Sequence, residues 1–411
     1  MKNKLFSILL ISILSSLIFA DTSLEEALYR SKTMSVDMKL KIIERDINNK
    51  AILTSLPSVL PSLAFTISAD STQISGWDYS QYLSINQTIF NLPVFLTILK
   101  NKEYSDIANL LYLKGINDIS QSTIESYFNL LSFQLKLSLD SSILILEENN
   151  LKKNRILYQN GMISESDILL IESNYYSLIS EYEKDKLTYE NYLEQFINLT
   201  GIEEPGNLAD IDTFPVFTLD DLEPEKILSN LPEYLIAKKN HIIATHEKII
   251  SYSEFLPKAS LTLSSGLTDS IFEFNPEQIL NGSNIRTGIS INFPIFTGFS
   301  RSINILEKSY LKKSAELTFL KTKQNLILEI KNFDDRLKMV KNYIEGSKKL
   351  YESSNKNFQK AKILLENNSL SLQDYINIEK SYKESFVNYL TAKKEYYKTY
   401  YRYLYLIRRI K

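Results

Sequence analysis

The sequence contains no cysteine. That excludes a disulfide framework, a thiolate metal site and a lipid anchor on an N-terminal cysteine. It has 2 histidines, His241 and His246, five apart, so they do not share a helical face as a pair of metal ligands four apart would. There is little excess charge: the formal net value is -2, which gives no basic field for nucleic acid. No nucleophile elbow, phosphate loop or zinc-protease motif occurs, so the chain reads as a non-enzyme with no cofactor. After the N-terminus no apolar run is long enough to cross a bilayer as a helix. Proline is absent from Pro93 to Pro205 and again after Pro294, which leaves two stretches free for very long helices.

What is present begins with a secretory signal over residues 1–20. Lys2 and Lys4 precede an apolar stretch from Leu5 to Phe19, and Ala20 suits cleavage before Asp21. The mature protein is therefore expected to be exported, and any passage through a membrane would have to use strands.

The plan of the chain is set by Ile289 to Gly298, I-S-I-N-F-P-I-F-T-G. Alternation puts Ile289, Ile291 and Phe293 on one face and Ser290 and Asn292 on the other, the mark of a strand with two unlike faces. Pro294 and Gly298 then hand over to a helical pattern. The same handover occurs at Leu83 to Asn91, where Ser84, Ile85, Asn86, Ile89 and Phe90 recur as Ser290, Ile291, Asn292, Ile295 and Phe296. The copies keep one spacing from Asp37/Glu233 through Pro61/Pro257. They lengthen in the hairpin loop before Asn86/Asn292, where insertions cost least.

In order, the pattern predicts a helix from Thr22 to Leu56, opened by a Ser23/Glu26 capping box. A strand at Ser62–Ser68, a polar loop at Ala69–Ser80 and a strand at Tyr82–Phe90 follow. A long helix then runs from Pro93 to about Asn160, roughly 100 Å at 1.5 Å per residue. After Asn160-Gly161, Ser164 caps the next helix with Asp167 at its third position. The second copy repeats this: a helix from Pro224 to Phe255, a strand at Ser260–Ser264, a loop at 265–286, the hinge strand, a helix from Gly298 to Asn367, and a last helix capped by Ser371 with Asp374. The repeats are 21–200 (β-hairpin 59–90, helical hairpin 93–200) and 225–411 (β-hairpin 256–296, helical hairpin 298–411), joined by an irregular connector at 201–224.

The four strands share one design. Leu63, Phe65, Ile67, Leu83, Ile85, Ile89, Ala259, Leu261, Leu263, Ile289, Ile291 and Phe293 form apolar faces; the opposite faces are small and polar. Two arrangements satisfy this. One is a sheet with its apolar face on a helical core. The other is a share of a transmembrane barrel, apolar to lipid and polar to water, which four strands cannot close without further copies. The second long helix carries a coiled-coil-like seam from Ile303, Leu306 and Tyr310 through Ile330, Phe333, Leu337, Val340 and Ile344, broken at Gln324. The 26 tyrosines suit long amphipathic surfaces or a membrane interface.

Several motifs resemble those of the TolC-type outer-membrane efflux proteins. They are Ser23-Leu24-Glu25-Glu26-Ala27-Leu28, Leu60-Pro61-Ser62-Leu63, Leu231-Pro232-Glu233 and Leu256-Pro257. Pro294-Ile295-Phe296-Thr297-Gly298 looks like that family's strand-to-helix junction, and Gly161-x-x-Ser164-x-x-Asp167-Ile168-Leu169 like its helix-hairpin tip. The resemblance covers essentially the whole mature chain. It implies a mainly α protein with a small β part, trimerising into a 12-stranded transmembrane β-barrel and a periplasmic α-helical barrel. The implied role is a passive exit channel of an efflux pump or type I secretion system. The implied partners are two further copies, outer-membrane lipid, a periplasmic adaptor, and an inner-membrane pump or ABC transporter. The rival reading is a periplasmic coiled-coil scaffold that never enters lipid.

The residues expected to matter are Gly161, Ser164, Glu165, Asp167, Asn368, Ser371 and Asp374 at the tip, and Phe90, Pro93, Pro294, Phe296 and Gly298 at the strand–helix junctions. Glu165, Asp167 and Asp374 would form an acidic mouth favouring cations, while Asp167 and Asp374 also suit helix N-termini through the dipole. The sequence departs from the family pattern at Asn368 in place of the tip glycine, at Asn91-Leu92-Pro93 and at Ser35-Val36-Asp37. It places no Lys or Arg in residues 160–170 or 367–377, which argues against a salt-bridge lock there.

Overall fold

The computed structural model describes residues 21–72, 76–211, 213–215, 224–269, 274, 277, 279, 285–367 and 369–407. The signal segment lies outside them. The elements are α1 Leu24–Met34, α2 Val36–Asn49, α3 Ala51–Ser55, β1 Ser62–Thr72, β2 Gly76–Phe90, α4 Leu92–Gln159, α5 Glu165–Thr200, α6 Pro224–Leu228, α7 Pro232–Ser253, β3 Lys258–Asp269, β4 Arg286–Asn292, α8 Ser300–Glu366 and α9 Leu372–Leu406. The fold is mainly helical with one small antiparallel sheet, as expected. Contacts divide the chain into two compact units: residues 1–40, 115–223 and 330–411, and residues 41–114 and 224–329.

Several expected boundaries are corrected. The helix from Thr22 to Leu56 is three pieces. Ser35 is extended and its hydroxyl accepts from the Met38 amide, so it starts a new helix instead of continuing the old one. The helix from Pro224 to Phe255 breaks before Pro232, which has no amide proton and holds Leu231 extended. The loop at Ala69–Ser80 is mostly strand: β1 and β2 stay paired out to Thr72 and Gly76. Backbone pairing does not need apolar alternation, so the polar run Asp70–Ser71 concealed it. For the same reason β3 reaches Asp269.

In the second unit the sheet order is β1-β2-β3-β4. Its register confirms both faces. Leu63 pairs with Ile85 and Ile85 with Leu263, while Leu261 pairs with Ile289 and Ala259 with Ile291. On the other face, Ala64, Ser84, Ser264 and Arg286 form one row and Ser62, Asn86, Thr262 and Gly288 the next. The Thr262 hydroxyl donates to Asn86 Oδ1 at 3.0 Å along that row. A bulge between Thr88 and Phe90 leaves Ile89 without a Cα partner on β3, and its side chain is exposed.

The apolar face is uncovered: Leu63 is 68% exposed, Ile289 68% and Ile291 69%. The arrangement with that face on a helical core is therefore not the one adopted. In the same unit, Lys239 joins Glu103 and Asp106, and Glu247 joins Lys100 and Lys308. The His241 ring stacks on Phe319, a packing role.

In the first unit Thr22 pairs with Leu208 in a parallel bridge. The Tyr127 hydroxyl lies 2.7 Å from the Ala209 carbonyl and 3.0 Å from that of Thr22, within a core of Leu24, Leu28, Phe128, Leu131, Phe196 and Tyr397. Connector residues are clamped from α9: Tyr396 donates to Pro215 O at 2.7 Å, Tyr397 donates to Thr213 O, and Lys393 pairs with Asp210 at 2.8 Å. Tyr351, Phe358, Tyr375, Tyr382 and Tyr389 stack between α8 and α9. Here tyrosines serve as helix-packing residues whose apolar bodies fill the core, and the hydroxyls of Tyr127, Tyr396 and Tyr397 reach carbonyls. The α8 seam is split. Ile330, Phe333, Leu337, Val340 and Ile344 are buried in this unit, whereas Ile303, Leu306, Tyr310, Leu317 and Leu320 stay exposed.

Candidate functional site

The first tip is a helix stop followed by a helix start. Gly161 adopts φ +71°, a left-handed backbone that favours glycine, and the Met162 amide donates to Leu157 O at 2.8 Å to close the turn. Ser164 then caps α5 in a full capping box: the Asp167 amide donates to Ser164 Oγ at 3.1 Å, and the Ser164 amide donates to Asp167 Oδ2 at 3.3 Å. The second tip repeats the chemistry. Ser369 N donates to Leu364 O at 2.8 Å, the Asp374 amide donates to Ser371 Oγ at 3.1 Å, and Ser371 Oγ donates to Asp374 Oδ2 at 2.6 Å. Asn368 lies outside the described residues.

The structure brings the two tips together within one unit. Leu372 packs against the cluster of Leu151, Ile168 and Ile171 from the first hairpin. Glu165, Asp167 and Asp374 are exposed there. Asp167 and Asp374 each hold a cap, so the structural role foreseen for them is present whatever else they do. The ion pair closest behind the first turn is Arg155–Glu172, where Arg155 Nε and Nη2 donate to Glu172 Oε1 at 3.0 and 2.8 Å.

Gly161 has nothing within 4 Å of an added Cβ, so only its backbone resists substitution. Gly161→Ala should cost about 1–2 kcal/mol, and Ser164→Ala about 1 kcal/mol by removing the cap. Faster amide exchange confined to the first turn of α5 and the last of α4 would confirm both; unchanged exchange would refute them.

The two junctions differ more than their sequences suggest. After Phe90, only Asn91 separates β2 from α4, and the Val94 amide donates to Asn91 O at 3.0 Å; Pro93 sits in the first turn, where its missing amide proton is harmless. After β4 a longer turn precedes α8. Gly298 and Phe299 are both left-handed, at φ +62° and +64°, and the helix starts at Ser300 instead of Gly298. Ile295 is 89% exposed, and Phe296 and Phe299 meet edge to face at 5.5 Å, both exposed. Arg301 reaches back to Pro294 O.

Sequence reading missed a buried charged seam behind the tips. Lys383 on α9 lies 2.8 Å from Asp140 on α4 and 3.4 Å from Glu181 on α5, while Lys136 pairs with Glu181 and Asp185. Asp140, Glu147, Asp185 and Glu379 are all buried. Burial alone would lower the Lys383 ammonium, but Asp140, Glu181 and Glu379 together raise it, so it stays charged. The residues are far apart in sequence, and no short motif marks them. The available signal was the interruption of an apolar helical face by Asp140, Glu147 and Lys383.

Among the described residues no group of His, Cys, Asp and Glu could hold a metal ion, and no helix is long and apolar enough to cross a membrane. No protein-family model matches the sequence, and no curated protein matches it. Solved structures do. The Campylobacter jejuni CmeC outer membrane channel aligns with a TM-score of 0.76 at 18% identity, over 93% of this chain and 85% of that one. The Neisseria gonorrhoeae MtrE outer membrane channel, in its open state, aligns at 0.74 and 15%, over 94% and 91%. The Vibrio cholerae outer membrane protein VceC aligns at 0.72 and 14%, over 93% and 95%. The chain therefore has the fold of the TolC-type outer-membrane channels, as its motifs led one to expect.

Proposed function

We propose that this chain is one third of an outer-membrane exit channel. Three copies pool their strands into a 12-stranded barrel and their helical hairpins into a periplasmic duct. The observation that carries this reading is the uncovered apolar face on a sheet whose outer strands, β1 and β4, pair on one side only among the described residues. In lipid an open sheet edge is not tolerated, so such a sheet needs neighbours. The exposed half of the α8 seam lies in the same unit and is suited to a neighbouring copy. The paired tips form the entrance, where a periplasmic adaptor and an inner-membrane pump or ABC transporter would dock. The channel is passive, and the partner supplies the energy. The two repeats and the cleaved signal are part of the same proposal. A periplasmic scaffold would leave the apolar sheet face in water, which disfavours it.

Current through single channels of the purified mature protein in a planar bilayer tests this. Discrete steps with cation preference under a salt gradient are expected. Asp374→Asn, which keeps a capping oxygen but removes the charge, should shift the reversal potential toward zero. A folded oligomer that inserts nothing would overturn the channel reading; unchanged selectivity would remove Asp374 from the filter.

A further inference from the structure

The charged seam holds more acid than base. Facing Glu379 of α9 are Asp140 and Glu147 from α4 and Glu181 from α5, with Lys383 one turn along its own helix at 4.0 Å. Lys136 and Asp185 extend the cluster on α4 and α5, and Lys362 of α8 faces Glu147. Glu379 Oε2 is fully buried with no hydrogen-bond partner among the described residues. Glu147 is buried beside it, held by Asn150 at 3.2 Å, and borders a cavity of about 200 Å³ lined also by Lys153, Lys362 and Tyr375. With Glu147, Asn150, Lys153, Lys362 and Tyr375 on its wall beside Leu146 and Leu365, a cavity of that size has polar partners enough to hold water and so carry protons to the Glu147 end.

We propose that Glu379, aided by Glu147, makes the packing of α9 against the α4–α5 hairpin proton-dependent: tight when these carboxyls are protonated and looser when they ionise. A carboxylate in this position would have an unpaired oxygen away from water and acid on two neighbouring helices. Parting α9 from α4 and α5 would return it to solvent.

The sign follows from the same groups. Burial pushes the Glu379 carboxyl up to about 7, opposed by Lys383 and aided by Glu147, Asp140 and Glu181. Glu147 is also raised by burial, against Asn150, Tyr375 and Lys362. A carboxyl raised in the packed state favours packing fully below its ordinary value, near 4.3, and loses that contribution as pH rises to about 7. Glu181 is shifted the other way: its own burial raises it, but Lys383 and Lys136 outweigh that and lower it. Under the channel reading above, the device would set how readily the entrance tips part. That consequence rests on that reading, whereas the packing itself does not.

Hydrogen exchange on the full mature chain in detergent tests the packing. The protection factors of α9 amides from Tyr375 to Leu390, corrected for intrinsic exchange, should fall about tenfold or more between pH 5 and pH 8. Glu379→Gln, which cannot ionise, should remove most of that dependence. A flat wild-type profile overturns the proposal, and so does a Glu379→Gln profile with the wild-type midpoint and amplitude. If that variant does not assemble, infrared titration of the wild-type chain decides. A buried COOH band lost near pH 7 supports the proposal, and its absence at pH 5 overturns it. Neither readout needs a pore, so failure here leaves the bilayer test standing, and the reverse.

Discussion

A lysine at Leu263 will keep the protein out of the outer membrane, and a lysine one residue later at Ser264 will not. The two positions are neighbours on β3 and face opposite ways. Leu263 lies in the apolar row with Leu63 and Ile85; Ser264 lies in the row with Ala64, Ser84 and Arg286. A cation on a lipid-facing strand costs about 2–4 kcal/mol near the bilayer midplane, and every copy in the assembly would carry that cost. A lysine at Ser264 faces Arg286 directly and meets a like charge there at modest cost, but it lies in the polar row with Ala64 and Ser84 and so has no lipid to meet. Membrane fractionation should show Leu263→Lys depleted from the outer membrane and Ser264→Lys present but with lower single-channel conductance. Equal behaviour of the two would mean that the faces are not lipid and water.

Lys383→Met should be the most damaging single change in the helical part. Lys383 is almost buried and is the cation through which α9 reaches both α4 and α5. Removing it leaves Asp140, 3% exposed, without its partner at 2.8 Å. Breaking a buried pair in this way costs about 3–5 kcal/mol. Loss of amide protection along α9, with the sheet residues unaffected, would register it. Asp140→Asn combined with Lys383→Met should recover much of the loss, because the stranded charge is then gone. A double variant as weak as the single one would show that Lys383 acts through packing alone.

Much of this fold was legible because its signals are local. Proline-free runs, alternating strands and Ser-x-x-Asp caps each act within a few residues, and Ser164/Asp167 and Ser371/Asp374 form the bonds their spacing implies. The breaks at Ser35 and Leu231 were also local, but a long apolar periodicity masked them. Strand ends at Thr72 and Asp269 were hidden because pairing there depends on the partner backbone, not on side-chain pattern. The charged seam was illegible for a stronger reason. Asp140, Glu181 and Lys383 sit on three helices, and only packing shows that their charges meet. At the tip, the caps were readable from their spacing.

The central claim is that the exposed apolar face of the sheet meets lipid. Because the chain has no cysteine, a single nitroxide label can be placed at Leu263→Cys or at Ser264→Cys without background. After reconstitution into vesicles, the label at 263 should collide with dissolved oxygen and be shielded from a water-soluble nickel chelate, and the label at 264 should do the reverse. If both labels meet the chelate freely in a folded, reconstituted protein, the sheet does not line a membrane and the barrel account is wrong.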